Sequence, residues 1–412
     1  MLGSFQLPGM DMHSGQLVFA QVMTYLPLKA FGCMVKVRRA QHKVKDFTCL
    51  DQFLCLAFAQ LTTRESLRDI EINLRAQSKH FYHLGFRCKT ISRNTLANAN
   101  RVRPWQVFAD LAHHLIGIAR TLYANDTASA ELKSLMGATV YALDSSTIDL
   151  CLSLFSWAPF RSAKAAVKLH TLLDLRGSIP SFIHISDGLM HDVNVLDLLC
   201  EQGYIEVGAF YVMDKAYVDF ARLYRLHTAR AFFVTRAKSN MQTRLVQDFA
   251  VDTSTGLVSD HHIRFTGVNS RKRYPEPLRC VTFIDPETGK TFEFLTNNLA
   301  LPALTICALY KQRWQVELFF KWIKQHLRIK AFLGTTENAV KTQLWIAIAT
   351  YVLIAIMKKR LNLKHSLYEI LRVLDLNMFE TTPITVLLGY VEHSSEQSEN
   401  LAQQSLFSTL GQ

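Results

Sequence analysis

Residues 209–214 read Ala209-Phe210-Tyr211-Val212-Met213-Asp214, five apolar residues closed by an acid. A run so short and so uniformly apolar predicts a strand buried on both faces. Ala138 to Leu143 predicts another, and Asp144 follows it in the same way. Lys168 to Leu175 (KLHTLLDL) reads as a strand, Arg176-Gly177-Ser178 as a turn, and Ile179 to Ile185 as the strand after it. Ala231 to Thr235 (AFFVT) is the fifth. Helices fall between them, Val193 to Cys200 with Asp192 as its cap and Phe220 to His227. The order βββαβαβ implies a mixed α/β sheet with helices on its faces. The first and fourth strands then become neighbours where the sheet changes direction, the place where such sheets bind ligands. Asp144 and Asp214 would converge there, and carboxylates in apolar surroundings need a partner such as a divalent cation.

Downstream, residues 238–300 break the rhythm. Short alternating runs (Ile263 to Phe265, Leu278 to Ile284, Thr291 to Leu295) are separated by Gly267, Pro275, Pro277, Pro286 and Gly289, which reads as a β-rich insertion. Pro302 opens a helical stretch through Lys330, and an apolar helix spans Glu337 to Lys359. The division is a loose leader at 1–15, a helical basic region at 16–136 and a core at 137–237. The insertion follows at 238–300, a glutamate-bearing helix at 301–335, C-terminal helices at 336–391 and a polar tail at 392–412.

Within the N-terminal region, Gln16 to Leu28 and Leu50 to Leu61 have helical spacing. Thr63 to Ile70 reads as an amphipathic helix capped by Thr62 or Thr63, and Ser92 caps a short helix carrying Arg93, Asn94 and Asn98. Arg and Asn can bond base edges in the major groove, so this helical pair is a candidate DNA reader. The plainer alternative is a helical bundle with a solvated polar face.

The 412 residues make room for two to three domains, and 49% hydrophobic content excludes a disordered or fibrous chain. Lys+Arg 46 against Asp+Glu 34 leaves +12, a bias towards a polyanion. Residues 1–100 hold 13 Lys+Arg and 6 Asp+Glu, so +7 of that charge lies in a quarter of the chain. A membrane partner is disfavoured: the longest apolar run, Leu344 to Met357, spans about 21 Å as a helix against a hydrocarbon core of about 30 Å. No signal-peptide pattern opens the chain. Eight scattered cysteines without a CxxC predict buried, reduced thiols in a cytoplasmic protein.

The third acid of interest is Glu317, in Leu309 to Lys324 (LYKQRWQVELFFKWIK). At about 100° per residue, Tyr310, Arg313, Glu317 and Lys324 fall within one arc of about 60°. One acid and two bases flanked by Trp314, Phe319, Phe320 and Trp322 make a stripe suited to holding both metal and phosphate. Together with Leu143-Asp144-Ser145-Ser146-Thr147 and Val212-Met213-Asp214-Lys215-Ala216-Tyr217, the stripe resembles the DDE transposases of bacterial insertion sequences. The resemblance is to the large group (insertion sequence family four) whose signature is Tyr-x2-Arg-x3-Glu-x6-Lys, matched in full, and it extends over roughly residues 16–375.

That resemblance implies a ribonuclease H-like core with a β-insertion before the glutamate helix. Asp144, Asp214 and Glu317 would be both catalytic residues and ligands of two Mg²⁺ ions, with Mn²⁺ able to substitute. Water would cut the end of the element to free a 3′-OH, which would then attack target DNA. Arg313 and Lys324 would bind phosphates, and Tyr310 would hydrogen-bond the DNA backbone. The expected partners are double-stranded DNA, at the element ends and the target, and a second copy of the chain on DNA. Two departures stand out: Ala216 replaces the commoner glycine, and no Trp lies between Asp214 and Trp314. Either Tyr274, after Arg271-Lys272-Arg273, stacks where relatives use a Trp beside a flipped base, or the hairpin route is not used.

Competing assignments are a stand-alone nuclease of the same fold and an inactive DNA-binding repressor derived from a transposase. For the three acids the plainer alternative is a set of ion pairs with Arg and Lys. Asp192 and Asp219 are expected to cap helices, with His191-Asp192 a weaker metal-ligand candidate. Arg161, Lys164 and Lys168 line either a DNA path or a solvated face.

Overall fold

The computed structural model describes residues 15–42, 44–126, 132, 135, 137–161, 164–326 and 332–389. The expected leader at 1–15, apart from Gly15, and the polar tail at 392–412 lie outside the described residues. Contacts divide the described chain into two compact units, one built from 15–123, 148–166 and 320–389, the other from 124–147 and 167–319.

The first unit is mainly helical. It begins with α1 (Val18–Met23), α2 (Leu28–Val37), α3 (Cys49–Leu61), α4 (Leu67–Ala76), α5 (Arg93–Val102) and α6 (Gln106–Tyr123). Ser92 caps α5, its side chain accepting from Thr95 N–H. The cap of α4 is Ser66, not Thr62 or Thr63, because the chain turns through a positive φ at Thr63 before the helix begins. The C-terminal part of the unit is built around a 24-residue helix, Glu337–Arg360. Its length and composition would let it cross a membrane, beyond the span of Leu344 to Met357 alone, yet 94% of its apolar window is buried in the fold. It packs on α6, α3 and α5, with Tyr123 Oη donating to Ala355 O at 2.9 Å and Trp105 stacked on Trp345.

Most of the second unit is organised by a ten-stranded mixed sheet. Its strands in chain order begin β1 (Val140–Leu150), β2 (Pro159–Arg161), β3 (Lys164–Asp174) and β4 (Ile179–Asp187). Of these, β2 and the adjoining ends of β1 and β3 belong to the first unit. After α7 (Val195–Glu201) come β5 (Phe210–Met213), α8 (Phe220–Thr228) and β6 (Phe232–Arg236). The order read from sequence is present, with the short β2 added, and the spatial order is β2-β3-β1-β5-β6-β10-β9-β8-β7 with β4 on β3. Here β7 (Thr243–Phe249), β8 (Leu257–Phe265), β9 (Leu278–Ile284) and β10 (Thr291–Thr296) are the insertion, interrupted by α9 (Val268–Arg273). The insertion continues the sheet, because β10 pairs antiparallel with β6 through Phe294–Arg236, Leu295–Thr235 and Thr296–Val234.

The core lies where β1 and β5 meet α7 and α8. Tyr141, Leu143, Tyr211, Met213, Leu196, Leu223 and Phe233 are fully buried there. Burying such side chains contributes about 1.5–3 kcal/mol each.

Candidate active site at the strand ends

Strands β1 and β5 run parallel with the register Val140–Phe210, Tyr141–Tyr211, Ala142–Val212 and Leu143–Met213. Asp144 and Asp214 are the next residues on each strand, one step past the last matched pair. Neighbouring strands lie about 4.8 Å apart, so the two acids stand side by side just past the paired stretch. Strand β1 itself continues to Leu150, so Asp144 is at the end of the β5 pairing and not of the strand. Asp214 turns into the short helical turn Lys215–Tyr217, where its Oδ1 accepts from Ala216 N–H at 3.1 Å.

The expected continuous helix from Pro302 is broken. It forms α10 (Ala303–Lys311), a turn at Gln312–Arg313, and α11 (Trp314–Lys321), which passes into a π-helical turn at Trp322–His326. Residues 327–330 of the expected helix lie outside the described residues. The break places Arg313 between two acids: Nη1 donates to Asp144 Oδ2 at 2.9 Å, and Nη2 bonds Glu317 Oε1. Tyr310 lies beside it, its ring 5.9 Å from the guanidinium carbon. Lys324 falls in the π-helical turn, partly buried, in the first unit.

The electrostatics bind this group together. Burial pushes the Asp144 carboxyl up to about 6, the charges of Glu317 and Asp214 push the same way, and Arg313 and the Ser145 N–H oppose them. The Tyr310 phenol is raised to about 12, chiefly by burial and further by Asp214. Arg313, nearly inaccessible, stays charged: burial works against it, and Tyr310, Asp144 and Glu317 outweigh burial. The ion-pair alternative is thus partly realised, since one guanidinium serves two carboxylates. Three acids share this neighbourhood with Arg313, and an all-oxygen donor set of that kind suits a hard cation. As the side chains stand, no three His, Cys, Asp or Glu among the described residues form a closed cation cage.

Other expectations changed. Asp219 does cap α8, accepting from Arg222 N–H at 3.1 Å. Asp192 caps nothing with its side chain; it accepts instead from Ser145 Oγ and Lys168 Nζ. Lys168 is therefore neither solvated nor free to line a DNA path. Tyr274 is 1% exposed and its hydroxyl is hydrogen-bonded to His227 Nδ1 at 2.7 Å, so it cannot stack on a flipped base. Cys33 and Cys151 are exposed, contrary to the buried thiols expected, although all eight cysteines are free. In the helical unit Arg93, Asn94 and Asn98 are all exposed on α5, with Asn98 Oδ1 accepting from Arg101.

The bonding of Ser145 and Lys168 to Asp192 is the part of the neighbourhood that sequence reasoning misses, although it singles out Asp192 and Lys168 separately. The available signal was Lys168 itself, a cation inside an otherwise apolar strand, which demands a buried acid.

Comparison with known proteins completes the assignment. Residues 136–353 match the model of the transposase DDE domain, and residues 14–87 match a domain of unknown function. A protein of Sinorhizobium fredii described as a transposase is 35% identical over 68% of this chain and 75% of its own length. A protein of Geobacillus stearothermophilus, described as the transposase of an insertion sequence element, is 33% identical over 56% of this chain and 60% of its own. Among solved structures, a piggyBac transposase synaptic complex with hairpin DNA aligns over 96% of this chain and 86% of that one, at 11% identity and a TM-score of 0.44. The chain belongs to the DDE transposases of bacterial insertion sequences. It is therefore a member of a class of enzymes that cut and transfer DNA.

Proposed function

We propose that the protein binds the terminal inverted repeats of its own element, cleaves to free 3′-OH ends and joins them to target DNA, with Asp144, Asp214 and Glu317 as its catalytic acids. The observation that carries this reading is the placement of Asp144 and Asp214 one step past the last matched pair of adjacent parallel strands, with Arg313 tying Glu317 to Asp144. The core is read as ribonuclease H-like on the strength of three strands in series followed by two αβ units, in the order β4-β3-β1-β5-β6.

The three carboxylates would hold two Mg²⁺ ions, or Mn²⁺ in their place. Such a pair, when bound, activates an attacking oxygen and stabilises the leaving one at phosphorus. The chain's own residues have separable tasks. Arg313 bonds and orients both Asp144 and Glu317, and its fork suits the phosphates beside the scissile bond. Lys324 would act there as a point charge, and Tyr310 as a hydrogen-bond donor to the DNA backbone. The exposed Arg93, Asn94 and Asn98 would contact DNA from the helical unit, and two copies of the chain would act on the two element ends.

The test is Glu317→Gln. On an element-end fragment with Mg²⁺, cleavage should fall by at least about a thousandfold, the scale of losing an essential catalytic group, while the gel shift persists. Full cleavage by this variant would refute the reading. Nicked but never joined products from the wild-type chain would favour the stand-alone nuclease, and wild-type DNA binding without cleavage would favour the repressor.

A further inference from the structure

Asp192 opens the 3₁₀ turn Asp192–Asn194, a place where an acid ordinarily caps. Its side chain turns away from the helix. Oδ1 accepts from Ser145 Oγ at 2.7 Å and from Lys168 Nζ at 3.2 Å. Lys168 is itself held by Met190 O at 2.9 Å and is only 13% exposed. Two charge-assisted bonds to the same oxygen fix the Asp192 carboxylate more firmly than one surface contact would. His170 closes the group, with Nδ1 3.8 Å from Asp192 Oδ1 and Nε2 hydrogen-bonded to Ser186 Oγ at 2.9 Å.

The residue that Asp192 grips is the neighbour of a candidate catalytic acid. Ser145 N–H donates to Asp144 Oδ1 at 2.8 Å. The peptide plane joining residues 144 and 145 therefore sets where the Asp144 carboxylate points, and the Ser145 hydroxyl anchors that plane from its other side. The anchor falls just past Leu143–Met213, the last registered pair, where β5 no longer guides β1. The 3₁₀ turn bearing Asp192 also packs on the turn Lys215–Tyr217, which Asp214 begins. Tyr217 in that turn is 1% exposed, and its phenol is raised by burial and then by the charges of Asp144 and Asp192.

We propose that Asp192 is a positioning residue of the transposase reaction: acting through Ser145, it holds the Asp144 carboxylate in its working direction, and Lys168 keeps Asp192 in place. The proposal rests on the reading of Asp144 as a catalytic acid. Groups that orient metal ligands from behind typically change metal affinity or activity by about 10–100-fold when removed.

The experiment uses the full-length chain. Mn²⁺ binding is followed by the electron paramagnetic resonance signal of the free ion, and cleavage of an element-end fragment is followed in parallel with gel shift and thermal unfolding. Asp192→Ala should lower both Mn²⁺ affinity and the cleavage rate constant by about 10–100-fold, with the apparent KM for DNA and the gel shift unchanged. Asp192→Asn retains an acceptor for Ser145 and should recover most of the loss. Ser145→Ala should reproduce it, and the double variant should lose no more than either single one, since the two act in series. Wild-type Mn²⁺ affinity and rate in Asp192→Ala, or a lowered melting temperature with both unchanged, would overturn the proposal. An additive double variant would overturn it too. Should Asp192→Ala fail to fold, Ser145→Ala decides alone, and wild-type behaviour there refutes the chain of contacts. Glu317→Gln serves as the control: if it cleaves normally, the catalytic reading itself fails, whereas an inactive Glu317→Gln beside an unaffected Asp192→Ala removes only the positioning role.

Discussion

Asp51 in the helical unit and Asp144 at the strand ends are both acids withdrawn from water, and their surroundings differ in kind. Asp51 is 0% exposed and accepts four bonds: Oδ2 takes Thr48 N–H at 2.7 Å and Thr48 Oγ at 2.6 Å, and Oδ1 takes Arg87 N–H at 2.7 Å and Cys88 N–H at 3.3 Å. Both oxygens are filled by neutral donors fixed in the fold. Asp144 receives one N–H from its own neighbour and one arm of Arg313, and it faces the charges of Glu317 and Asp214. An acid with every lone pair engaged holds structure together. One held near other acids with a shared counter-ion remains available for a cation.

That contrast can be broken most severely at Glu317, where the expected effect is the loss of catalysis described above with folding intact. The mirror experiment is Asp51→Ala. It leaves the Arg87, Cys88 and Thr48 donors without their acceptor, at about 1–3 kcal/mol for each buried group left unsatisfied. Denaturant unfolding should show a loss of about 3 kcal/mol or more, and cleavage per folded molecule should be unchanged. A stable Asp51→Ala chain without activity would reverse the roles assigned to the two acids.

A smaller effect sharpens the comparison through pH. In the folded chain the Asp144 carboxyl stands near 6, above its ordinary 3.8, because of burial first and of Glu317 and Asp214 beyond it. The folded state therefore holds that proton more tightly than the unfolded state. Its contribution to stability is fully present below about pH 4 and is lost as pH rises through about 6. Asp144→Asn should remove this slope, so in metal-free buffer the difference in unfolding free energy between the two proteins should change by on the order of 2 kcal/mol across the window. Parallel pH profiles would contradict the crowding of acids. The smallest effect concerns the helical unit: Arg93→Ala should reduce the log–log salt slope of DNA binding by about 0.9, the value for one duplex phosphate contact. An unchanged slope would show that α5 does not touch the backbone.

How much of this was legible beforehand followed from how strongly each segment is patterned. Phe210 to Met213 and Val140 to Leu143 are buried on both faces, so their strands and acidic ends were readable from composition alone. Strand β7 was not, since Thr243 to Phe249 is exposed along nearly its whole length and carries no apolar face. The break at Gln312–Arg313 is hidden because both residues fit a helix locally; Arg313 there bonds Asp144, 169 residues away, as well as the local Glu317. Asp192 stands where caps stand, but its partner Ser145 is 47 positions distant. Tyr274 follows three basic residues and looked accessible, yet the short helix α9 ends by turning it into the core. Local pattern thus located the acids, and only long-range contacts showed what orients them.

The most direct measurement of the central claim is strand joining from a pre-cut end. An element-end duplex carrying a free 3′-OH, supplied with target DNA and Mg²⁺, should give joined products with the wild-type chain. Asp144→Asn, Asp214→Asn and Glu317→Gln should each give none while still retarding the duplex in a gel. Joining at the wild-type rate by any one of the three would contradict their assignment to a single active site.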